Sequence, residues 1–497
     1  MPDHSPHVHD AAIIGAGFGG IGAAIQLGRL GYRDLVILER ESDLGGTWHV
    51  NHYPGLAVDI PSSTYSYSFE PNPYWSRMYA PGAELKAYAV HVATKYDVKK
   101  FMRFDTVVEG AVWDEDAEHW TVNIAGGERL HANMLLTATG FLSQPAKPDI
   151  PGIDSFAGTI LHTAKWDDSI DLTGRRAAVI GTGATAVQLI PEIAPQLAAL
   201  TVFQRTAIWV TPKSDGRIPR RIQKMYARLP VTQKVVRTIG TGILELLMVA
   251  GVLNYRRTKL LNKGVEKYAL RHLERQVKDP ETRAKLTPDY TFGCKRPTFS
   301  NTYFRTYNRD NVTLETTPIA RIEPSAVVTT DGTRTEIDTL VLATGFNLWD
   351  TNFPAFEIIG RDGNDLGKFW REQQFQAYEG VAVPGFPNFI SLNSPYSYSG
   401  LSYFTTIESQ MRHMQRLLTE VQKRRATTFE VTEEANAEFL HRMISRLDDS
   451  VFVNGSCATS RSYYFNQHGM ATLLRPTSTV NAFREAGKFP LDDYVYA

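Results

Sequence analysis

Two short apolar runs, Ala11 to Ile14 and Ala177 to Ile180, each break off into a glycine-rich turn, and the turn opens a segment that reads as helix. The first turn is Gly15-Ala-Gly17-Phe-Gly-Gly20 and the second is Gly181-Thr-Gly183-Ala-Thr-Ala186. The pattern predicts strand, turn and helix twice. In such a unit the first glycine makes the tight turn and the second lets a pyrophosphate approach the backbone, while the helix N-terminus offers its free N–H groups to the phosphates. One such turn alone is weak evidence. Two in the same context predict two dinucleotide sites, with Gly15, Gly17, Phe18 and Gly20 at the first and Gly181, Thr182, Gly183, Ala184 and Thr185 at the second.

Two further segments of strand pattern end alike, in Thr137-Ala-Thr139-Gly140-Phe141 and in Leu342-Ala-Thr344-Gly345-Phe346, and they bracket the second glycine-rich turn. A chain that leaves one nucleotide domain near residue 141 and returns near 346 inserts the second domain into the first. The proline-rich stretch Gln144-Pro-Ala-Lys-Pro-Asp-Ile-Pro151 fits the outgoing linker. The expected division is an outer domain at 1–147 and 347–497 and an inner one at 148–346. Residues 214–290 show helical periodicity and almost no strand signal, which predicts a helical insertion in the inner domain. Thr405 to about Arg446 also reads helical, and an aromatic-rich tail follows from Tyr463 to Tyr496. The fold class expected is α/β with two Rossmann-like domains. No repeat is visible.

At 497 residues the chain is too long for one ordinary domain. Lysine plus arginine and aspartate plus glutamate number 53 each, so no basic surface argues for nucleic acid. Only Cys294 and Cys457 are present, which excludes a disulfide framework and suits a reducing cytoplasm. The start, MPDHSPHVHD, lacks the features of a secretory signal and reads as a short disordered arm; its three histidines are read as part of that arm, with metal binding as the alternative. No metal site is expected. The most apolar window, Ile239 to Leu253, contains Glu245 and is shorter than the ~20 residues a bilayer needs. It is read as a packed helix rather than a transmembrane segment. Contact with a membrane surface is the alternative, because Lys234, Arg237, Arg256 and Arg257 flank it.

The residues that close the second strand of each unit separate the two dinucleotides. In the first unit Glu39 stands 24 residues after Gly15, at the end of the run Leu35 to Leu38. A carboxylate there accepts hydrogen bonds from ribose hydroxyls, as in FAD and NAD sites, and repels a 2′-phosphate. The same offset in the second unit lands on Arg205, followed by Thr206. A guanidinium there can pair with a 2′-phosphate, so the inner domain should prefer NADPH. The alternative is an exposed arginine at a strand end.

Between the two turns lie Phe156, Gly158, His162, Trp166 and Asp167, which match the pattern FxGxxxHxxxW(P/D). A second pattern, GxWxxxx(F/Y)PGxxxD, is matched at Gly46, Trp48, Tyr53, Pro54, Gly55 and Asp59. With these residues the chain resembles the class B flavoprotein monooxygenases, and most closely the type I Baeyer–Villiger monooxygenases, over nearly its whole length. The resemblance implies FAD in the outer domain, NADP(H) in the inner one, and His162 at the domain junction. Heteroatom-oxidising relatives usually carry tyrosine or phenylalanine where Trp166 stands, so Trp166 argues for the ketone-oxidising branch.

The segment Phe292-Gly293-Cys294-Lys295-Arg296 resembles the family's active-site Lys-Arg pair. The resemblance implies that Arg296 sits beside the flavin, held by Asp59, and that Lys295 helps Arg205 bind the 2′-phosphate; the alternative is a pair of surface cations. It further implies flavin contacts from Thr47, Trp48, Tyr65 and Val108. Relatives often have Ser-Trp-Tyr where this chain has Ser462-Tyr463-Tyr464, which alters the pocket near the nicotinamide. Cys294 reads as a small packed residue. The implied reaction consumes NADPH and O2 and inserts one oxygen beside a ketone carbonyl through a C4a-peroxyflavin, giving an ester or lactone. The alternative is an S- or N-oxygenating enzyme, with a sulfide among its substrates.

Overall fold

A computed structural model of the protein describes residues 7–398 and 400–497. Residues 1–6, with His4, lie outside the described residues. From His7 onward the expected arm is corrected: strand Val8–Ile14 starts at once, and the rings of His7 and His9 both reach the Asp34 carboxylate, at 2.9 and 2.7 Å.

Two parallel-cored sheets organise the chain. The first runs Glu357–Ile359, Val108–Asp114, His119–Ile124, Arg129–Thr137, Val8–Ile14, Leu35–Leu38, Met102–Arg103, and Phe389–Ser391 also pairs with Arg129–Thr137. Its centre is parallel, with Ile14 opposite both Leu38 and Thr137. The second runs Val312–Glu315, Ala199–Phe203, Arg176–Ile180, Thr339–Leu342, Thr159–His162, with every pairing parallel. Continuous apolar runs rather than alternating ones build these strands because both faces are covered: one face of the second sheet packs on helix Ala184–Ile193 and the other on Ile322 and Val327 of the antiparallel strands Ile319–Glu323 and Ala326–Thr329. All four residues of Leu35–Leu38 and of Thr339–Leu342 are buried.

The chain leaves the first sheet after Thr137, contributes five strands to the second, and returns to supply Glu357–Ile359 and Phe389–Ser391 to the first. Its two crossings lie side by side. Ala146 N–H donates to Gly345 O and Asn347 N–H to Gln144 O, both at 2.9 Å, with a bridge between Pro145 and Phe346. His162 closes the edge strand of the second sheet at this ribbon. Its Nε2 lies 3.5 Å from the Thr344 hydroxyl, and burial lowers its pKa below the usual imidazole value.

The helical stretch comprises Arg220–Arg228, Pro230–Met248, a π-turn at Val249–Leu253, Tyr255–Gln276 and Pro280–Lys285, hung between the paired strands Val210–Thr211 and Thr298–Phe299. The expectation of a packed apolar helix is corrected here. Ile239, Ile243 and Leu246 are 58%, 57% and 68% exposed. Two polar side chains of the helix face inward instead: Gln233 is buried and donates to Asn72 O, and Arg237 donates to Ser66 O. The helical reading from Thr405 is likewise interrupted. Helices Tyr403–Arg424 and Glu433–Leu447 are separated by strand Phe429–Val431, which pairs with the C-terminal Tyr494–Tyr496.

The cysteines are not free. Cys294 and Cys457 form a disulfide across a sequence separation of 163 residues. Hydrogen bonds from Thr291 N–H to Ser456 O and from Ser456 N–H to the Thr291 hydroxyl hold the two segments together. A count of two cysteines cannot distinguish a pair brought together by the fold from two separate thiols.

Several residues shared with the resembled family act through packing. Phe156 is buried with Ala178 and Phe203, and Trp166 lies in the apolar cluster of the second domain. A Cβ on Gly158 would fall 2.3 Å from Asp338 O. Gly158→Ala is therefore expected to cost about 1–3 kcal/mol of stability. Gly242→Ala, on an exposed helix with nothing within 4 Å of its would-be Cβ, should be neutral or stabilising by up to ~1 kcal/mol. Chemical denaturation of both variants beside the parent checks this; equal stability of the two would refute the packing assignment.

Candidate active site

The C-terminal ends of the parallel strands in both sheets open onto one cavity of about 1310 Å³, the place where open α/β sheets bind ligands. Every site residue expected from the sequence lines it except Gly20. A Cβ on Gly20 would sit 1.9 Å from Gly15 O, so Gly20 allows the helix to pack on its strand and does not face the cavity.

At the first turn Gly15 takes φ +109°, and a Cβ there would meet Ala138 O at 2.6 Å. Gly17 caps helix Phe18–Arg29 and faces Gly46 across the turn; a Cβ on Gly46 would lie 3.1 Å from Gly17 Cα. Two glycines in opposition leave bare backbone between them, a cradle that any side chain would fill. Phe18 is anchored by edge contacts to Tyr65 and Tyr67. Gly45 and Gly46 turn the chain into the short helix Thr47–Val50, and Trp48 Nε1–H donates to the Tyr65 hydroxyl at 3.2 Å. The buried Glu39 carboxylate accepts from Ala16 N–H at 2.7 Å and Glu41 N–H at 3.0 Å. It is thus fixed at the end of its strand, at the cavity wall with Val108.

At the second turn Gly181 has φ +111° and packs on Ala343 O, while nothing lies within 4 Å of a Cβ on Gly183. Ala184 and Thr185 begin the helix that follows, and the Thr182 hydroxyl donates to Thr206 O at 2.9 Å, tying the turn to the strand end that carries Arg205. Arg205, Lys295 and Arg461 share this wall. Among the described residues none of the three has an ion-pair or hydrogen-bond partner. Burial and the neighbouring Arg205 push the Lys295 ammonium down to about 8. Burial and Arg461 together lower Arg205 as well. Three cations without an acid form a site for a multiply charged anion.

Between the two turns the Arg296 guanidinium meets the Asp59 carboxylate as a fork, Nε to Oδ2 at 2.6 Å and Nη2 to Oδ1 at 2.9 Å. Its third nitrogen donates to the Tyr398 hydroxyl at 2.6 Å. Burial opposes the Asp59 charge, but Arg296 outweighs it and lowers the carboxyl below its usual value. Burial raises Tyr398 to about 12 in spite of Arg296, so the phenol stays protonated. Asp59 follows a loop docked on the second domain: Tyr53 Oη–H donates to Gln188 Oε1 at 3.0 Å, Gln188 Nε2–H to Ala57 O at 2.9 Å, and Gly55, φ +84°, lets the loop close on Gln188 O. Tyr463 reaches the cavity wall, its carbonyl accepting from Trp349 Nε1–H at 2.9 Å.

Sequence reasoning missed Tyr398, Arg461 and Gln188. Tyr398 sits among several tyrosines with no distinguishing spacing. Arg461 adjoins the Ser-Tyr-Tyr segment and carries no offset from either glycine turn. Gln188 lies among Val187, Leu189 and Ile190, a stretch of its helix that reads as core.

A family profile described as "Pyridine nucleotide-disulphide oxidoreductase" matches residues 12–237. A Baeyer-Villiger monooxygenase of Streptomyces coelicolor is 38% identical, covering 99% of this chain and 94% of its own length. Another from Pseudomonas aeruginosa is also 38% identical, covering 92% and 85%. Among solved structures, an oxidised steroid monooxygenase bound to NADP superposes with a TM-score of 0.85 at 29% identity, covering 99% of both chains. A closed cyclohexanone monooxygenase superposes at 0.86 and 28%, covering 99% of this chain and 100% of that one.

The lowered Asp59 carboxyl contributes stability that is complete above its ordinary pKa of about 3.9 and is lost as pH falls through its lower folded value. Asp59→Asn should therefore be less stable than the parent near neutrality, by about 1–3 kcal/mol for an unpaired, partly buried guanidinium. The gap should narrow in acid. Thermal denaturation of both proteins across that pH range checks it, and a gap independent of pH would overturn the charge assignment.

Proposed function

The chain belongs to the Baeyer–Villiger monooxygenase family, and we propose that its cavity holds FAD and NADPH and oxygenates a ketone to an ester or lactone with O2. Residues 1–147 and 347–497 are assigned to FAD and 148–346 to NADPH. The observation that carries this reading is the Arg296–Asp59 fork, set where the two glycine-rich turns face one cavity. The residues fit the two groups: the opposed glycines at 17 and 46 leave room for a pyrophosphate, Glu39 presents a carboxylate to a ribose, and the unpaired cations Arg205, Lys295 and Arg461 suit a 2′-phosphate.

FAD, once bound and reduced by NADPH, supplies the oxygen-activating chemistry. The chain supplies charge and position. Arg296 keeps its positive charge at any working pH and stabilises negative charge as it develops on oxygen at the reacting carbonyl. Asp59 holds the guanidinium plane, and the protonated Tyr398 occupies its remaining edge. Trp48 and Tyr65 form an aromatic wall at the first turn. With Cys294 and Cys457 bonded to each other, cysteine usage no longer argues for a cytoplasmic location; that placement rests on the requirement for NADPH. Sulfide oxidation is the reading to set against ketone oxidation, and products formed from one ketone and one thioether separate them.

Arg205→Ala removes a charge-assisted contact worth roughly 1.5–3 kcal/mol, so NADPH affinity should fall about ten- to a hundredfold with little change for NADH. Lys295 is a cation below its pKa and neutral above it, so NADPH should also bind more weakly as pH rises through about 8, while NADH stays flat. Nucleotide titrations across pH check both; parallel behaviour of the two nucleotides would show that the phosphate site is misassigned.

Arg296→Ala should leave part of the NADPH-driven flavin reduction and abolish most oxygen transfer, by roughly 100- to 1000-fold for one lost stabiliser. Hydrogen peroxide should replace the ester. Simultaneous measurement of NADPH consumption, peroxide and ester decides this, and a normal ester yield would refute the role of Arg296.

A further inference from the structure

The most exposed apolar surface lies away from the cavity, on the helical insertion. Val231, Val235, Ile239, Ile243 and Leu246 form one stripe along helix Pro230–Met248, each more than half exposed, and Leu260 on the next helix is 84% exposed. Spacings of three and four residues place them on one face. The stretch Pro230–Leu253 is long and apolar enough, by length and composition, to cross a membrane, yet only 6% of its most apolar window is buried. It is held lengthwise against the first domain: Gln233 and Arg237 donate to Asn72 O and Ser66 O, Glu245 accepts from Thr479 N–H, and Met248 meets Gly400. A helix fixed along its length cannot insert end-on.

Charge identifies the occupant of this face. From Arg217 to Gly264 the chain carries eleven basic residues and one acid, Glu245, in a protein whose overall net charge is zero. Glu245 is turned inward to Thr479. Arg220, Arg221, Lys224 and Arg228 precede the stripe, and Lys259 and Lys263 follow it, all exposed; among the described residues none of these six has an acid within 4 Å. Arg256 and Arg257 share Asp449. A second copy meeting this face across a two-fold axis would bring like charges together.

We propose that this face docks in the plane of an anionic lipid surface, with the aliphatic stripe in the interface and the basic residues at the headgroups. The arrangement is that of an interfacial amphipathic helix, in which apolar burial and headgroup attraction act together. It leaves the cavity and both glycine turns on the protein and sets the enzyme where apolar ketones partition.

The test is co-sedimentation of the flavin-loaded full chain with phosphatidylglycerol/phosphatidylcholine vesicles and with phosphatidylcholine alone, at low and high salt. The parent should bind the anionic vesicles, bind neutral ones far less, and be released by salt. Ile239→Glu with Leu246→Glu should abolish binding, and Lys224→Glu with Arg228→Glu should weaken it about tenfold or more. Both variants should remain yellow and oxidise NADPH with a soluble ketone as the parent does, which separates lost docking from lost folding. No binding by the parent, or binding unaffected by either variant, would overturn the proposal. A parent dimer in light scattering that Ile239→Glu with Leu246→Glu dissolves, without vesicle binding, would assign the face to a second copy instead.

Discussion

The bidentate contact between Arg296 and Asp59 bridges 237 residues of sequence and joins the loop that follows the first glycine-rich turn to the segment that returns from the helical insertion. Neither partner is held locally. Asp59 is placed by a loop whose tyrosine, glycine and backbone dock on helix Ala184–Ile193 of the second domain. Arg296 is placed by the segment returning from the helical insertion, and the Cys294–Cys457 bond ties that segment to the tail carrying Arg461 and Tyr463. A charge taken from water stabilises a reacting oxygen only if it cannot relax, and these constraints remove its freedom.

A second electrostatic feature runs against stability. Arg205, Lys295 and Arg461 face one another with no acid between them, and the depressed Lys295 is the direct consequence. Folding alone gives no reason to assemble such a group. A bound anion would offset that cost, in keeping with the 2′-phosphate role proposed for these residues.

The helical insertion inverts the usual amphipathic rule. On helix Pro230–Met248, Gln233 and Arg237 reach carbonyls of the first domain while an aliphatic stripe meets solvent. Burial of Gln233 and Arg237 is tolerated because each finds an acceptor. The exposed aliphatic stripe has no such explanation within the chain, which is why its surrounding charge decides what it meets.

The sequence alone determined what depends on near neighbours. Gly15 and Gly181 mark turns because a left-handed backbone pressed against a carbonyl tolerates no side chain, Gly17 and Gly183 keep bare backbone facing the cavity, and Glu39 and Arg205 follow at the strand end that the repeat of strand and helix dictates. The inserted second sheet was legible for the same reason, since the two glycine-ended runs at 137–141 and 342–346 punctuate it. Tertiary structure decided what depends on distant segments. It paired Cys294 with Cys457, brought Tyr398 to Arg296 and Arg461 to Arg205, split the long helical stretch near residue 429, and turned the apolar helix outward. Each of these is a contact between elements whose separation the fold, and no local period or spacing, makes small.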